Sequence, residues 1–191
     1  MIILGNGESR KTVDLNSINM PIIGCNAVFR DYTVDHLVCV DKKIVQEALD
    51  AGVNHNTYIY TRSKLFERYN TKRLREVPSL PFTGYERPDL PEHWGSGPYA
   101  VLLGATLCEE LHIIGFDLYG INGKTNNVYK DTPNYRVSDK TAVDPCYWIY
   151  QLNKIFNFYT KKKFIIYQNK DWSMPKQWKN PNVILDTISN L

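Results

Sequence analysis

The chain has 191 residues, 23 Lys and Arg against 20 Asp and Glu, and a formal net charge of +3. At about 150 residues per domain this is one domain, and 43% apolar with 23% charged residues excludes disorder, collagen and coiled coil as the main state. The basic residues are scattered, which excludes the basic stripe of a dedicated nucleic-acid binder; the aromatic share is 13%, with 13 Tyr against 7 Phe.

The first apolar run, Met1 to Leu4, stops at Gly5 and reads as a buried strand feeding a tight turn. Met20 to Cys25, Leu37 to Val40, Tyr58 to Tyr60, Leu111 to Gly115 and Phe164 to Tyr167 repeat the pattern, each ending at a polar or turn residue. Short continuous apolar runs suit strands covered on both faces, as in parallel sheets. Helical periodicity lies between them. Residues 42–51 carry Ile44, Val45, Ala48 and Leu49 on one face and stop at Gly52. Residues 98–110 are apolar nearly all round, which predicts a buried helix with Pro98 in its first turn. Residues 144–159 open with Asp144 as N-cap before Pro145 and carry Ile149, Leu152, Ile155 and Phe156. Strands alternating with helices predict an α/β sheet of mostly parallel strands, flanked on both faces. Two stretches break the rhythm: 76–94, with four prolines, and 120–143, rich in Asn. The second follows the carboxyl end of the predicted fifth strand, where open α/β sheets bind ligands, so a lid or substrate loop is expected there.

The four cysteines, at 25, 39, 108 and 146, show no C-x-x-C pair and no neighbouring histidine, so no zinc site is expected. Cys25, Cys39 and Cys108 read as small buried hydrophobes in a reducing cytoplasm. The opening apolar run is too short for a signal peptide, and no stretch of 18 apolar residues predicts a transmembrane helix. Lys161 to Lys163 read as a solvated strand entry.

Candidate chemistry clusters at strand ends. Gly5-Asn6-Gly7-Glu8-Ser9 follows the first strand; glycines let the backbone approach a phosphate, or simply make a tight turn, and Ser9 is either a contact or a helix N-cap. Arg10 stands where a dinucleotide fingerprint has its third glycine. Asn26 ends the second strand, as ribose or base reader or as turn residue, and Asp41 ends the third, as ligand contact or helix cap. Gly95-Ser96-Gly97-Pro98 opens the buried helix as an anion cradle, with Ser96 as contact or cap. Asp117, after the fifth strand, could bind a sugar hydroxyl or a metal or hold a loop, and no second carboxylate stands at D-x-D spacing.

Gly5 to Ser9, Cys25-Asn26, Ser96-Gly97 with its helix, and Ile114 to Tyr119 resemble, in order and spacing, the motifs of the bacterial sialyltransferases of glycosyltransferase family 42. They also resemble the wider domain of unknown function 115, which includes archaeal 6-hydroxymethylpterin diphosphokinases. The Gly-Asn-Gly-Glu-Ser opening and the Asn-Ala-x-x-Arg-Asp segment at 26–31 also look like uncharacterised marine phage proteins. The resemblance implies a modified Rossmann-like fold that binds a CMP-activated sugar without a metal or other cofactor and transfers it to an acceptor hydroxyl. Gly5, Asn6, Gly7, Ser9, Asn26, Ser96, Gly97 and Asp117 are the implied nucleotide-binding residues. Tyr119 and Tyr129 match tyrosines facing the donor phosphate, where a phenol stabilises developing charge. The family's general base is a histidine in the loop before the last long helix; no histidine lies between Gly120 and Asp144, where Asp131, Tyr135 and Asp139 stand instead, and His93 could approach from the other side. The expected partners are a nucleotide-sugar and a glycan or small-molecule acceptor, with homo-oligomerisation left open. The alternatives are an ATP-dependent pterin or nucleotide diphosphokinase and a non-catalytic nucleotide- or glycan-binding module.

Overall fold

The computed structural model describes residues 1–82 and 84–191, with the backbone alone at Asn16. It contains one eight-stranded sheet in the order β5-β4-β3-β2-β1-β6-β7-β8, in which every neighbouring pair is parallel. The strands are β1 (Ile2–Leu4), β2 (Ile22–Cys25), β3 (His36–Val38), β4 (Tyr58–Thr61), β5 (Leu74–Glu76), β6 (Glu110–Ile114), β7 (Lys163–Gln168) and β8 (Val183–Thr187). The helices are α1 (Lys42–Asp50), α2 (Ser63–Tyr69), α3 (Ser96–Leu107) and α4 (Cys146–Phe158). This is a Rossmann-like α/β arrangement, as the alternation predicts.

Alternation along the central strands divides their side chains between two apolar layers. Ile3 and Ile23 pack with Ala100, Val101 and Leu103 of α3 and with Leu152, Ile155 and Phe156 of α4. Ile2, Leu4, Ile22 and Leu37 face the other way, onto Ile44, Val45 and Ala48 of α1 and onto α2 through Leu65, Phe66 and Tyr69. Burying one such aliphatic side chain is worth about 1.5–3 kcal/mol.

The six expected strands are present, and β5, β8 and α2 are additions. Leu74-Arg75-Glu76 has one buried residue in three, and β8 exposes Ile184 and Leu185, so neither edge strand carries the continuous buried run that marks the central ones. The expected fifth strand is therefore β6. α3 begins at Ser96 and ends at Leu107, earlier than the 98–110 periodicity suggests, because Glu110 to Ile114 is claimed by pairing with β1 and β7. Asp144 lies one residue outside the cap position of α4, although its Oδ1 accepts the Cys146 amide at 2.9 Å. Gly52, at φ +63°, ends α1 in the left-handed region.

Within the proline-rich stretch 76–94, Thr83 lies outside the described residues. The rest docks on α4. Buried Asp89 accepts both contacts of the Tyr150 hydroxyl, at 3.1 and 3.0 Å, and Gln151 Nε2 donates to the Pro88 and His93 carbonyls. Lys162 and Lys163 pair with Glu109 and Glu110 at 2.6 and 2.8 Å, the solvated strand entry expected of them. All four cysteines are free; Cys25 and Cys39 are buried, Cys108 is half-buried rather than buried, and Cys146 is exposed. Among the described residues no helix is long and apolar enough to cross a membrane.

Candidate functional site

The chain leaves β1 in one direction to build β2 through β5, then returns to build β6 through β8 on the other side. That reversal makes a crevice beyond the carboxyl ends of β1 and β6, the position where such sheets bind ligands. A cleft of about 480 Å³ occupies it, lined by the turns after β1, β2, β3 and β6, the start of α3, part of α4 and the loop 120–143.

The β1 turn is fixed by close approach to the β6 turn. Gly5 N donates to Ile114 O and Gly7 N to Gly115 O, each at 2.8 Å. A Cβ on Gly5 would lie 2.9 Å from Phe116 Cδ2 and closer still to the Gly115 carbonyl, and a Cβ on Gly7 would enter the Asp117 carboxylate. Gly115 itself sits at φ +72°. The glycines of the expected phosphate cradle are thus required by the neighbouring protein turn, while their backbone lines the cleft. Asp117 is buried; its Oδ2 accepts the Ser9 amide at 2.9 Å, its Oδ1 accepts the Ser9 hydroxyl, and Gln168 Nε2 approaches Oδ1 at 3.4 Å. Its backbone carbonyl accepts Trp172 Nε1 at 2.7 Å. Of the two readings of Asp117, the carboxylate holds a neighbouring turn, and Ser9 is its partner rather than a helix cap.

Asn26 adopts φ +52°, a left-handed conformation that Asn tolerates better than most residues. Its Oδ1 accepts the Ser96 hydroxyl at 2.7 Å, and Ser96 Oγ accepts the Val40 amide at 3.1 Å. Three turns far apart in sequence are joined in this way, and Ser96 does not cap its own helix. The first amides of α3 have no partner within the helix and carry the positive end of its dipole toward the cleft wall that Ser96 and Gly97 form. Asp41 also lines the cleft, and its side chain caps α1 by accepting the Lys43 amide.

The loop 120–143 forms the remaining wall and is tied at several points. Asn126 Oδ1 accepts the Glu8 amide and Val128 N donates to Asn6 O. Arg30 grips Glu47 with two nitrogens, at 2.6 and 2.8 Å, and donates to Thr132 Oγ1 and Pro133 O from the same guanidinium. It lies over the rings of Tyr129 and Tyr135 at 5.3 and 5.4 Å. The Tyr129 hydroxyl donates to Asp31 and receives Arg10 Nη2, each at 2.6 Å, and the same nitrogen meets Asp31 at 2.8 Å. Arg10 is 3% exposed, so the departure from a dinucleotide fingerprint is a buried anchor for this loop. Tyr135 differs: it lines the cleft, and its hydroxyl accepts Asn6 Nδ2 and the Ala27 amide, each at 3.2 Å. Two accepted bonds leave its own proton free to donate.

Burial raises the phenols of both Tyr129 and Tyr135 well above the usual value, reinforced at Tyr129 by the bond to Asp31. Both are neutral hydrogen-bond donors at physiological pH. Burial also pushes the Cys25 thiol, which lines the cleft, up to about 12, so it is no thiolate nucleophile.

Of the expected residues, Gly5, Asn6, Gly7, Asn26, Ser96, Gly97, Asp117 and Tyr119 come together around the cleft. Ser9, Tyr129, Asp131 and His93 do not line it. Ser9 is consumed by Asp117, and Tyr129 is closed in by Arg10 and Asp31. Asp131 is exposed at φ +64°, with Oδ1 accepting the Ser138 amide as a turn residue. His93 accepts Arg87 Nε at 3.4 Å and stands edge-on to Tyr147. Tyr135, Trp148, Arg136 and the asparagines 126, 127 and 134 also line the cleft. The asparagine-rich composition of the loop marks the last three; Trp148 carries no signal beyond its place in a helical pattern. Among the described residues no group of three or more His, Cys, Asp or Glu is placed to hold a metal ion. The chain matches no family model, no curated protein and no solved structure.

Proposed function

We propose that the protein binds a nucleotide-activated sugar, with a CMP-sialic-acid-like donor as the first candidate, and transfers the sugar to an acceptor hydroxyl. The observation that carries this reading is the convergence of the Gly5-Asn6-Gly7 turn, Asn26 and the Ser96-Gly97 start of α3 at the switch point of a parallel sheet. Amides at a helix start suit a phosphate, and the paired donor and acceptor of an asparagine side chain suit a base or ribose. In the transfer the acceptor oxygen forms a bond to the anomeric carbon as the bond to the phosphate oxygen breaks, and the acceptor's proton passes to the released phosphate, whose freed oxygen takes it up. Tyr119 and Tyr135 are the two cleft-lining phenols that would donate to the departing phosphate, and Tyr135 is the one positioned by two protein donors. The cytoplasm belongs to the same reading, on four free thiols.

Titration calorimetry of the folded protein against CMP-, CDP-, UDP- and GDP-sugars tests this. Saturable binding of at least one is expected, and binding of none overturns it. The second reading is a non-catalytic nucleotide- or glycan-binding module, favoured by a cleft lining in which, among the described residues, no histidine stands. Turnover of the bound donor, followed by release of CMP from a CMP-sugar or of the nucleoside diphosphate from the others, separates the two. The diphosphokinase alternative has less support, because Asp41 and Asp117, the carboxylates it would bring to a shared ion, cap α1 and hold Ser9.

A further inference from the structure

Among the described residues, the charged side chains that line the cleft are Asp41, Asp117 and Arg136. Both carboxylates are engaged within the protein, Asp41 by the Lys43 amide and Asp117 by Ser9. Arg136 is engaged by almost nothing. Its Nη1 donates to the Thr141 carbonyl at 3.1 Å, and no ion pair among the described residues includes it. A guanidinium carries five N–H donors, so the others stay open to a ligand. Neighbouring cations are all occupied: Arg10 meets Asp31, Arg30 meets Glu47, Lys130 meets Glu8, and Lys124 meets the Asp139 carbonyl.

The backbone that carries Arg136 is held by other groups. Asn134 turns the chain at φ +68°, and its Nδ2 donates to Glu47 at 2.8 Å. Tyr135 receives the Asn6 and Ala27 donors, and the Arg136 carbonyl accepts the Asp131 amide at 3.1 Å. Asn134, Tyr135 and Arg136 thus line the cleft in succession. Asn6, bonded to Tyr135 and part of the same lining, leaves a further group unmet: it is 9% exposed, and its Oδ1 has no partner.

Resting on the nucleotide-sugar reading, we propose that Arg136 is the cation that receives the ligand's phosphate, and that this charge selects nucleotides over nucleosides. A phosphate entering the cleft meets two carboxylates, and Arg136 is the one side chain of the lining that offsets them with the opposite charge. The amides at the start of α3 and the free Tyr135 proton add donors without a full charge. A guanidinium fork matches two phosphate oxygens at once, and charge-assisted bonds of this kind are about twice as strong as neutral ones.

The whole protein is titrated with CMP, UMP and GMP, each beside its own nucleoside, by calorimetry and, for weak binders, by ligand-observed NMR. At least one nucleotide is expected to bind about tenfold or more tightly than its nucleoside. Arg136→Gln is expected to weaken that nucleotide at least tenfold and the nucleoside less than twofold. Arg136→Glu, which reverses the charge at the same exposed position, should weaken the nucleotide further still. Equal losses for nucleotide and nucleoside overturn the proposal, because the side chain then acts by holding the loop. A nucleotide bound as well by the Glu variant as by the Gln variant overturns the role of charge. Nucleotide affinity untouched by either variant overturns this contact and leaves the nucleotide reading standing. If no nucleotide binds, inorganic pyrophosphate is the remaining probe. Binding of pyrophosphate that Arg136→Gln weakens keeps the anion site and removes the nucleotide reading alone, and no binding of it overturns both.

Discussion

The Ser96 hydroxyl donates to the Asn26 side-chain carbonyl across 2.7 Å, joining the start of α3 to the end of β2 over a sequence separation of 70 residues. Ser96 is 5% exposed and also receives the Val40 amide. Ser96→Ala leaves the Val40 N–H and Asn26 Oδ1 without their partner. The expected cost is about 1–3 kcal/mol, the penalty for an unmet buried polar group. The urea midpoint at unchanged slope measures it, and a shift of only a few tenths would mean that these turns are held by packing alone.

Asp117 and Ser9 are the second long-range pair, with two contacts to one carboxylate. Asp117→Asn removes the charge, turns the Ser9 hydroxyl from donor to acceptor and sets an N–H against Gln168 Nε2, which then has no acceptor there. A loss of about 2 kcal/mol is expected, as for hydrogen bonds to a charged group. Ser9→Ala removes only the hydroxyl. Because the two residues touch, the double variant should lose less than the sum of the singles, with a coupling of about 0.5–3 kcal/mol. Additive losses would show that the carboxylate acts through other partners.

The central sheet is legible in the sequence because both its faces are covered, which turns β1, β2, β3, β6 and β7 into apolar runs. The edge strands β5 and β8 are not, since an edge strand borrows its conformation from one neighbour and needs no such run. At the site, residues adjacent to strand ends are legible because topology alone brings strand ends together. The loop residues are less so. Tyr129 and Tyr135 stand six apart in one polar segment, and only the positions of Arg10 and Asp31 decide that the first is closed in while the second faces the cleft. The glycines show the same limit: Gly7 is required by Asp117, a contact that no local pattern encodes.

Gly7→Ala puts a methyl group into the Asp117 carboxylate, which is itself held by Ser9 and Gln168 and cannot give way freely. Overpacking of about 1–3 kcal/mol or more is expected. Gly123 has φ +73° with open space around it, so Gly123→Ala carries only the backbone strain of about 1–2 kcal/mol. Thermal midpoints should therefore rank wild type above Gly123→Ala above Gly7→Ala, with no ligand present. The reverse order would mean that the β1 turn has room that the glycines do not need.

Glu47 ties the loop to α1. The Arg30 fork holds its carboxyl below the ordinary value of 4.5, against a smaller opposing effect of burial and with help from Asn134. A lowered folded value means that the unfolded chain takes up this proton first as the pH falls. The stabilisation is therefore complete above about pH 5 and is lost as the pH drops through the folded value. Glu47→Gln should be less stable than wild type at pH 7, with the gap closing below about pH 4. Urea unfolding across that range measures it, and a gap independent of pH would show that the pair acts by shape rather than by charge.

Tyr129→Phe and Tyr135→Phe remove one oxygen each from the same loop, yet different outcomes are expected. Tyr129 is closed in, so its loss leaves the Arg10–Asp31 ion pair in place and costs about 1 kcal/mol of stability with little effect on any ligand. Loss of the Tyr135 hydroxyl leaves the Asn6 amide and the Ala27 N–H without their acceptor, so both the β1 turn and the β2 turn lose their set at the cleft. It also removes a phenol proton that the protein leaves free there. If the cleft binds nucleotide-sugars, Tyr135→Phe should weaken donor binding or turnover at least tenfold while Tyr129→Phe stays within about twofold. Calorimetry and single-turnover measurements on both variants read this directly. Equal effects from the two would mean that the phenols act only by holding the loop, and the departing phosphate would then need another donor, with Tyr119 next in line on the same wall.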